Sequence, residues 1–318
     1  MRAIQITRLG GPETLVESEV PDPVPGPDEI LVDVEAAGVN YADAERIAGT
    51  YLSPDLPFIP GSEVVGRTSD GRRVMGLARQ AYASKALIKL DDVVDLPEEA
   101  VAGEAVAGEA LALLVQGLTA WHLLGTAARV RKGESVVVNS AAGGVGHLAV
   151  QLARELGAGR VIATASTPEK RELALSLGAD AAVDGSAEGY AERVIEANLG
   201  ERADVILDAV GGEVFDAALG AVAEFGRLIS YGTASHRDPS PVDVGRLLEA
   251  NISVAGFWIR PVLARPGGYQ AQLSELLELT GTRRIRPIAG GEYALSDART
   301  AIEDLLARRT TGKIVLRP

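Results

Sequence analysis

The chain has 318 residues, 31 basic and 44 acidic side chains for a formal net charge of -13, no cysteine, and 47% hydrophobic residues, a globular composition long enough for two domains. The lack of cysteine excludes disulfides, thiolate nucleophiles, iron–sulfur clusters and thiolate zinc sites, and suits a reducing cytoplasm. The acidic balance argues against a nucleic-acid partner, whose binding rests on clustered Lys and Arg. The longest apolar stretch, Ala105 to Gly125, is broken by Glu109, Gln116, Thr119 and His122, and the N-terminus MRAIQITRLGG has no apolar run. No membrane span and no secretion signal are expected.

In chain order, short β-rich pieces come first: Ile4 to Thr7, Leu15 to Val20, the punctuated PDPVPGPDE segment, Ile30 to Ala36, Val64 to Thr68 and Arg73 to Leu77. They predict a small, mostly antiparallel barrel or irregular sheet. Between Ile30 to Ala36 and Val64 to Thr68, a helix is expected from near Ala42, with Asp43 as its cap. A tandem VAGEA, Val101 to Ala105 and Val106 to Ala110, is too short for a repeat architecture and is expected to be an Ala-rich helix lengthened by the duplication.

After residue 130 apolar β-branched runs alternate with helical stretches, the pattern of βαβ units on a parallel sheet. Ser135 to Asn139, Arg160 to Ala165, Ala181 to Asp184, Asp204 to Asp208, Arg227 to Tyr231 and Ile252 to Trp258 are the six expected strands. Val145, Leu148, Ala149, Leu152, Ala153 and Leu156 mark the buried face of the first helix. Helices over Gly268 to Thr280 and Ser296 to Arg308 and a strand over Lys313 to Leu316 are expected to return to the first domain.

The strongest chemical signal is the run from Val136 to Gly146, VVVNSAAGGVG, a strand entering a small-residue turn and then an amphipathic helix. In that context it predicts dinucleotide binding: Gly143 and Gly144 let backbone approach a pyrophosphate, Gly146 allows close helix–strand packing, and the helix start offers free N–H groups. Ala141 stands where the usual fingerprint has its first glycine. A carboxylate at the end of the second strand would select NADH, but Arg160 to Pro168 contains none and Lys170 and Arg171 follow. NADPH is therefore expected, with Ser166 and Lys170 as ligands of its 2′-phosphate. Arg171 is read as readily as a solvated helix-face residue.

With that motif placed, the chain resembles the zeta-crystallin-like quinone oxidoreductases, zinc-free members of the medium-chain dehydrogenase/reductase superfamily. The likeness rests on the order and spacing of Gly38 to Asp43 (GVNYAD), Gly49 to Tyr51, Pro60 to Gly66 (PGSEVVG), Gly117 to Trp121 (GLTAW), Ala141 to Gly146 and Arg308 to Lys313 (RRTTGK). It implies an α/β protein in which a Rossmann doubly wound parallel sheet domain, 113–261, is joined to a GroES-like, mostly β catalytic domain built from 1–112 and 262–318. It further implies that Asn40 lies near the nicotinamide, that Thr119, Ala142, Val145, Tyr231, Gly232 and Thr233 line the cofactor, and that Ser166, Lys170 and Arg308 reach the 2′-phosphate. Relatives also pair the last Rossmann strand edge to edge, which implies a homodimer through Ile252 to Trp258. The chain departs from the family's pattern where many relatives carry tyrosines, at Glu45 and Gly185, and in a shortened loop between Gly66 and Arg73.

A zinc alcohol dehydrogenase site is excluded on ligand chemistry, since the only histidines are His122, His147 and His236. His147 is expected to pack or face solvent. Hydride transfer without a metal needs groups that orient or polarise the acceptor carbonyl, and Asn40 and Tyr51 are the candidates, with Tyr41 and Trp258 as apolar walls. The expected activity is NADPH-dependent reduction of quinones or related conjugated carbonyls. The alternatives are reduction of an enone or enoyl-thioester double bond, and an NADPH-binding protein without turnover.

Overall fold

The computed structural model describes every residue except 53–54, 97–104 and 266. The chain folds as two compact units: Met1–Val115 with Arg265–Leu277 and Pro287–Pro318, and Gln116–Ala264 with Glu278–Arg286. The grouping of 278–286 with the second unit departs from the expected boundary at 261. Gln151 explains it: its side chain donates to the Arg286 carbonyl at 3.0 Å and accepts from the Arg286 N–H at 2.7 Å.

In the first unit, β1 (Arg2–Gln5) and β2 (Val16–Glu19) form an antiparallel ribbon. Strands β3 (Glu29–Val39), β4 (Glu63–Thr68), β5 (Arg73–Arg79) and β6 (Lys85–Lys89) each run antiparallel to the next, and β6 pairs back with β3. The result is a closed barrel, which leaves no free edge among these four strands. β7 (Val94–Asp95) adds to β5. Strand β3 can serve three partners because a bulge between Val34 and Ala36 divides it. Its first half pairs β6, and its last residues are left for the returning chain end.

The second unit holds β8 (Ser135–Val138), β9 (Arg160–Thr164), β10 (Ala181–Val183), β11 (Ala203–Asp208), β12 (Val222–Ser230) and β13 (Ser253–Gly256). All pairs are parallel and the order is β10-β9-β8-β11-β12-β13, the doubly wound arrangement with its switch point beside β8. Val137, Ile162, Ile206 and Leu228 pack against Tyr190, Val194 and Phe215 in its core.

The chain end then supplies β14 (Ala289–Ala294) and β15 (Lys313–Arg317), parallel to each other, with β15 antiparallel to β3. Ile314 and Leu316 of β15 and Ile302 of the helix Ala298–Leu306 join Val32, Val64, Val74 and Ile88 in the first unit's core.

The segment Ala105–Leu111 continues through π turns at Ala112–Gly117 and Leu123–Ala128 as one helix. Over Ala107–Ala128 it is long and apolar enough to cross a membrane despite its interrupting polar residues, and it is mostly buried, as a core helix is. Residues 101–104 of the VAGEA tandem lie outside the described residues.

Candidate cofactor cradle and buried acid–base cluster

In the second unit the turn from Asn139 to Val145 leaves the C-terminal end of β8 and enters the helix Gly146–Glu155. The turn is anchored from below by a buried polar network. The Asn139 side chain donates to Asp208 Oδ1 at 2.9 Å and accepts from the Tyr190 hydroxyl at 2.7 Å and from Thr164 Oγ1 at 2.9 Å. Asp208 in turn accepts from the backbone N–H groups of Val210 and Gly211 at 3.1 and 3.0 Å. Burial pushes the Asp208 carboxyl upward against these hydrogen bonds. One network thus ties the ends of β8, β9 and β11, where a doubly wound sheet receives its ligand.

The glycines of the turn divide the work differently from expectation. An added Cβ on Gly146 would lie 2.3 Å from the Ser140 carbonyl oxygen, so this position enforces close strand–helix approach. On Gly144 it would lie 2.3 Å from the Gln116 side-chain nitrogen, so Gly144 makes room for Gln116. On Gly143 the nearest atom is Ser140 O at 3.2 Å, which leaves Gly143 as the open approach. His147 is fully buried, its Nδ1 3.0 Å from the Gly143 carbonyl oxygen, so it packs and does not face solvent.

The remaining candidates in this unit surround the same strand ends. Tyr231, Gly232 and Thr233 follow β12, and backbone bonds from Tyr231 N–H to Asp208 O and from Ala234 N–H to Ala209 O hold that loop against the end of β11. Ser166 is exposed just beyond β9, and Lys170 lies half-buried in the first turn of the helix Pro168–Ser176, capped by Thr167. Thr119 is buried in the long helix. Trp258 is 47% exposed, with the Arg260 guanidinium 5.7 Å from its ring centre.

In the first unit Asn40 follows β3 and caps the start of the helix Tyr41–Ala48. The Asp43 carboxylate accepts from the Asn40 N–H at 2.9 Å and from the Tyr82 hydroxyl at 3.1 Å, which is a capping role. Burial pushes this carboxyl up to about 6, opposed by the Asn40 N–H, Lys313 and Tyr82.

Sequence reasoning missed the pair beside it. Glu63, first in β4, and Lys313, first in β15, are both fully buried and form an ion pair. The Asn40 amide bridges them, donating from Nδ2 to Glu63 at 2.8 Å and accepting at Oδ1 from Lys313 Nζ at 2.9 Å. Turning the amide over would set NH₂ against an ammonium and C=O against a carboxylate, so the pair dictates its orientation. Glu63 also accepts from the Val115 N–H at 3.1 Å. An added Cβ on Gly38 would lie 2.5 Å from Glu63 Oε1 and 2.8 Å from Lys313 Cε, so any side chain there would displace the pair.

Tyr41 and Tyr51 are half-buried, and Arg308 is exposed. Burial and the Glu45 carboxylate raise the Tyr41 hydroxyl, while the Arg308 charge opposes them. Glu45 accepts from the Thr50 hydroxyl at 2.6 Å. Among the described residues no group of three His, Asp or Glu side chains is placed to hold a metal ion. With no cysteine in the chain, the donor set does not fit a dehydrogenase zinc site.

Two domain families match the chain: an alcohol dehydrogenase GroES-like domain over residues 26–79 and a zinc-binding dehydrogenase domain over residues 144–279. A quinone oxidoreductase of Pseudomonas aeruginosa is 35% identical over 100% of this chain and 99% of its own length. A 2-haloacrylate reductase of a Burkholderia species is 30% identical over 99% of this chain and 98% of its own length. Among solved structures, the quinone oxidoreductase of Thermus thermophilus, studied alone and in complex with NADPH, superposes with a TM-score of 0.88 at 37% identity, covering 100% of both chains.

Proposed function

The chain belongs to the zinc-free quinone oxidoreductases of the medium-chain dehydrogenase/reductase superfamily, and from that premise we propose that it reduces quinones or related conjugated carbonyls with NADPH. The observation that carries this reading is the cradle of the second unit. A glycine turn rests on a polar network at the switch point of a parallel sheet, and the neighbouring strand ends without a carboxylate but with Ser166 and Lys170. NADPH, when bound, supplies a hydride from C4 of its nicotinamide.

The protein's part is to bind and orient. Ala142, Gly144, Val145 and the start of the helix at Gly146 hold the pyrophosphate through backbone N–H groups and the positive helix end, and Gly143, whose N–H donates to the Ser140 carbonyl, leaves the approach open. Thr119, Tyr231, Gly232 and Thr233 line the cofactor, and Ser166, Lys170 and Arg308 take its 2′-phosphate. Asn40 and Tyr51 orient the acceptor carbonyl, Asn40 with an amide already locked by Glu63 and Lys313. Hydride adds to the acceptor, and water supplies the proton that completes the hydroquinone.

A second reading is reduction of a carbon–carbon double bond in an enone or enoyl thioester. It is favoured by the half-buried carboxylate of Glu45 beside Tyr41 and by the likeness to a 2-haloacrylate reductase. We assign the active form as a homodimer joined through β13, and its compartment as the cytoplasm, in keeping with the absence of cysteine.

The test is the loss of nicotinamide absorbance with NADPH and with NADH against naphthoquinones, phenanthrenequinone, simple enones and a crotonyl thioester. Turnover of quinones with preference for NADPH is expected. Turnover of enones or thioesters alone would replace the first reading with the second, and tight NADPH binding with no turnover would leave a binding protein.

A further inference from the structure

We propose that Arg171, beside Ser166, Lys170 and Arg308, is a further residue by which this protein tells NADPH from NADH. The inference deepens the cofactor reading above and rests on it. In a doubly wound sheet the adenosine ribose lies beyond the end of the second strand, here β9. Arg171 reaches back to that point from the helix Pro168–Ser176. Its Nη1 donates to the carbonyl oxygen of Ala165, the residue before Ser166, at 3.1 Å.

The same nitrogen lies 3.4 Å from Asp184 Oδ2, just past β10. Among the described residues, Nε and Nη2 of Arg171 make no hydrogen bond, so one side of the guanidinium remains for a second, two-pronged partner, and a phosphate suits that fork better than any neutral hydroxyl. The nearby Arg193 differs: its donors are spent on the carbonyl oxygens of Asp184, Ser186 and Glu188 and on the Ser186 hydroxyl. It staples the 184–188 loop.

Asp184 gives Arg171 a second task. Hydrogen bonds from Ser186, with the charges of Arg193 and Arg171 behind them, hold this carboxyl below its usual range. A carboxylate near the ribose would repel a 2′-phosphate and favour NADH. Arg171 offsets that charge while presenting its own fork, so its loss both removes a phosphate ligand and uncovers a repelling group.

Fluorescence titration of NADPH and NADH on the wild-type protein and on Arg171→Ala tests this. Arg171→Ala is expected to raise the Kd for NADPH roughly ten-fold or more and to leave the Kd for NADH within about two-fold, which also reports an intact cradle. A wild-type preference for NADPH that survives the substitution, whether neither Kd moves or both rise together, overturns the role of Arg171 alone. A wild-type protein that binds both cofactors equally overturns that role and the NADPH reading with it.

Discussion

Lys313 and Glu63 are fully buried charges that pair with each other and share the Asn40 amide, with the Val39 carbonyl accepting from Lys313 and the Val115 N–H donating to Glu63. Such a pair contributes little net stability when intact, because desolvation offsets the attraction, yet losing one partner strands a buried charge. Lys313→Met is therefore expected to cost on the order of 3–5 kcal/mol in urea unfolding. The double variant Glu63→Gln with Lys313→Met should recover most of that loss, and a double variant as unstable as the sum of the singles would show that the two charges do not compensate each other. Both residues lie in motifs visible in the sequence, PGSEVVG and RRTTGK. Their pairing was not legible, because 250 positions separate them and no periodicity links a barrel strand to a chain-terminal one. Arg171 was ambiguous for a related reason: a cation in a first helical turn looks the same in sequence whether it points to solvent or folds back on the preceding strand.

At the scale of elements, the buried parallel strands were the most legible, since continuous β-branched runs such as Ser135–Val138 and Arg160–Thr164 need no partner to be recognised. Strand β12 begins at Val222, five residues before the expected Arg227, because Glu224 and Phe225 are exposed and interrupt its apolar pattern. Strands β6, β7 and β14 were missed. The Ala289–Ala294 segment, AGGEYA, has little strand propensity and is extended because β15 pairs with it. Strand β13 lies at the sheet's edge, and Val244, Leu248 and Trp258 around it are 66%, 73% and 47% exposed, the features expected of a pairing edge. The Phe257 N–H donates inward to Ser230 O, so by strand alternation the Gly256 N–H faces the open side. An added Cβ on Gly256 meets nothing within 4 Å. Gly256→Pro should thus keep the sheet and remove the outward donor, converting a dimer to a monomer in sedimentation velocity. A variant that still sediments as a dimer would place the interface elsewhere.

For the whole molecule, composition and element order gave the two-part architecture, and the absence of cysteine alone removed thiolate zinc chemistry. What the sequence left unread is the set of contacts that join distant segments: Asn40 to Lys313, Asn139 to Asp208, Gln151 to Arg286. The proposed reaction is direct hydride transfer from C4 of the nicotinamide to a quinone, with no metal taking part. Single-turnover rates with NADPH carrying deuterium on one or the other C4 face, measured after chelator treatment, test it most directly. Full activity after chelation and slower turnover for deuterium on one face only are expected. Activity lost with the chelator and restored by a divalent metal, or rates indifferent to deuterium on both faces, would contradict it.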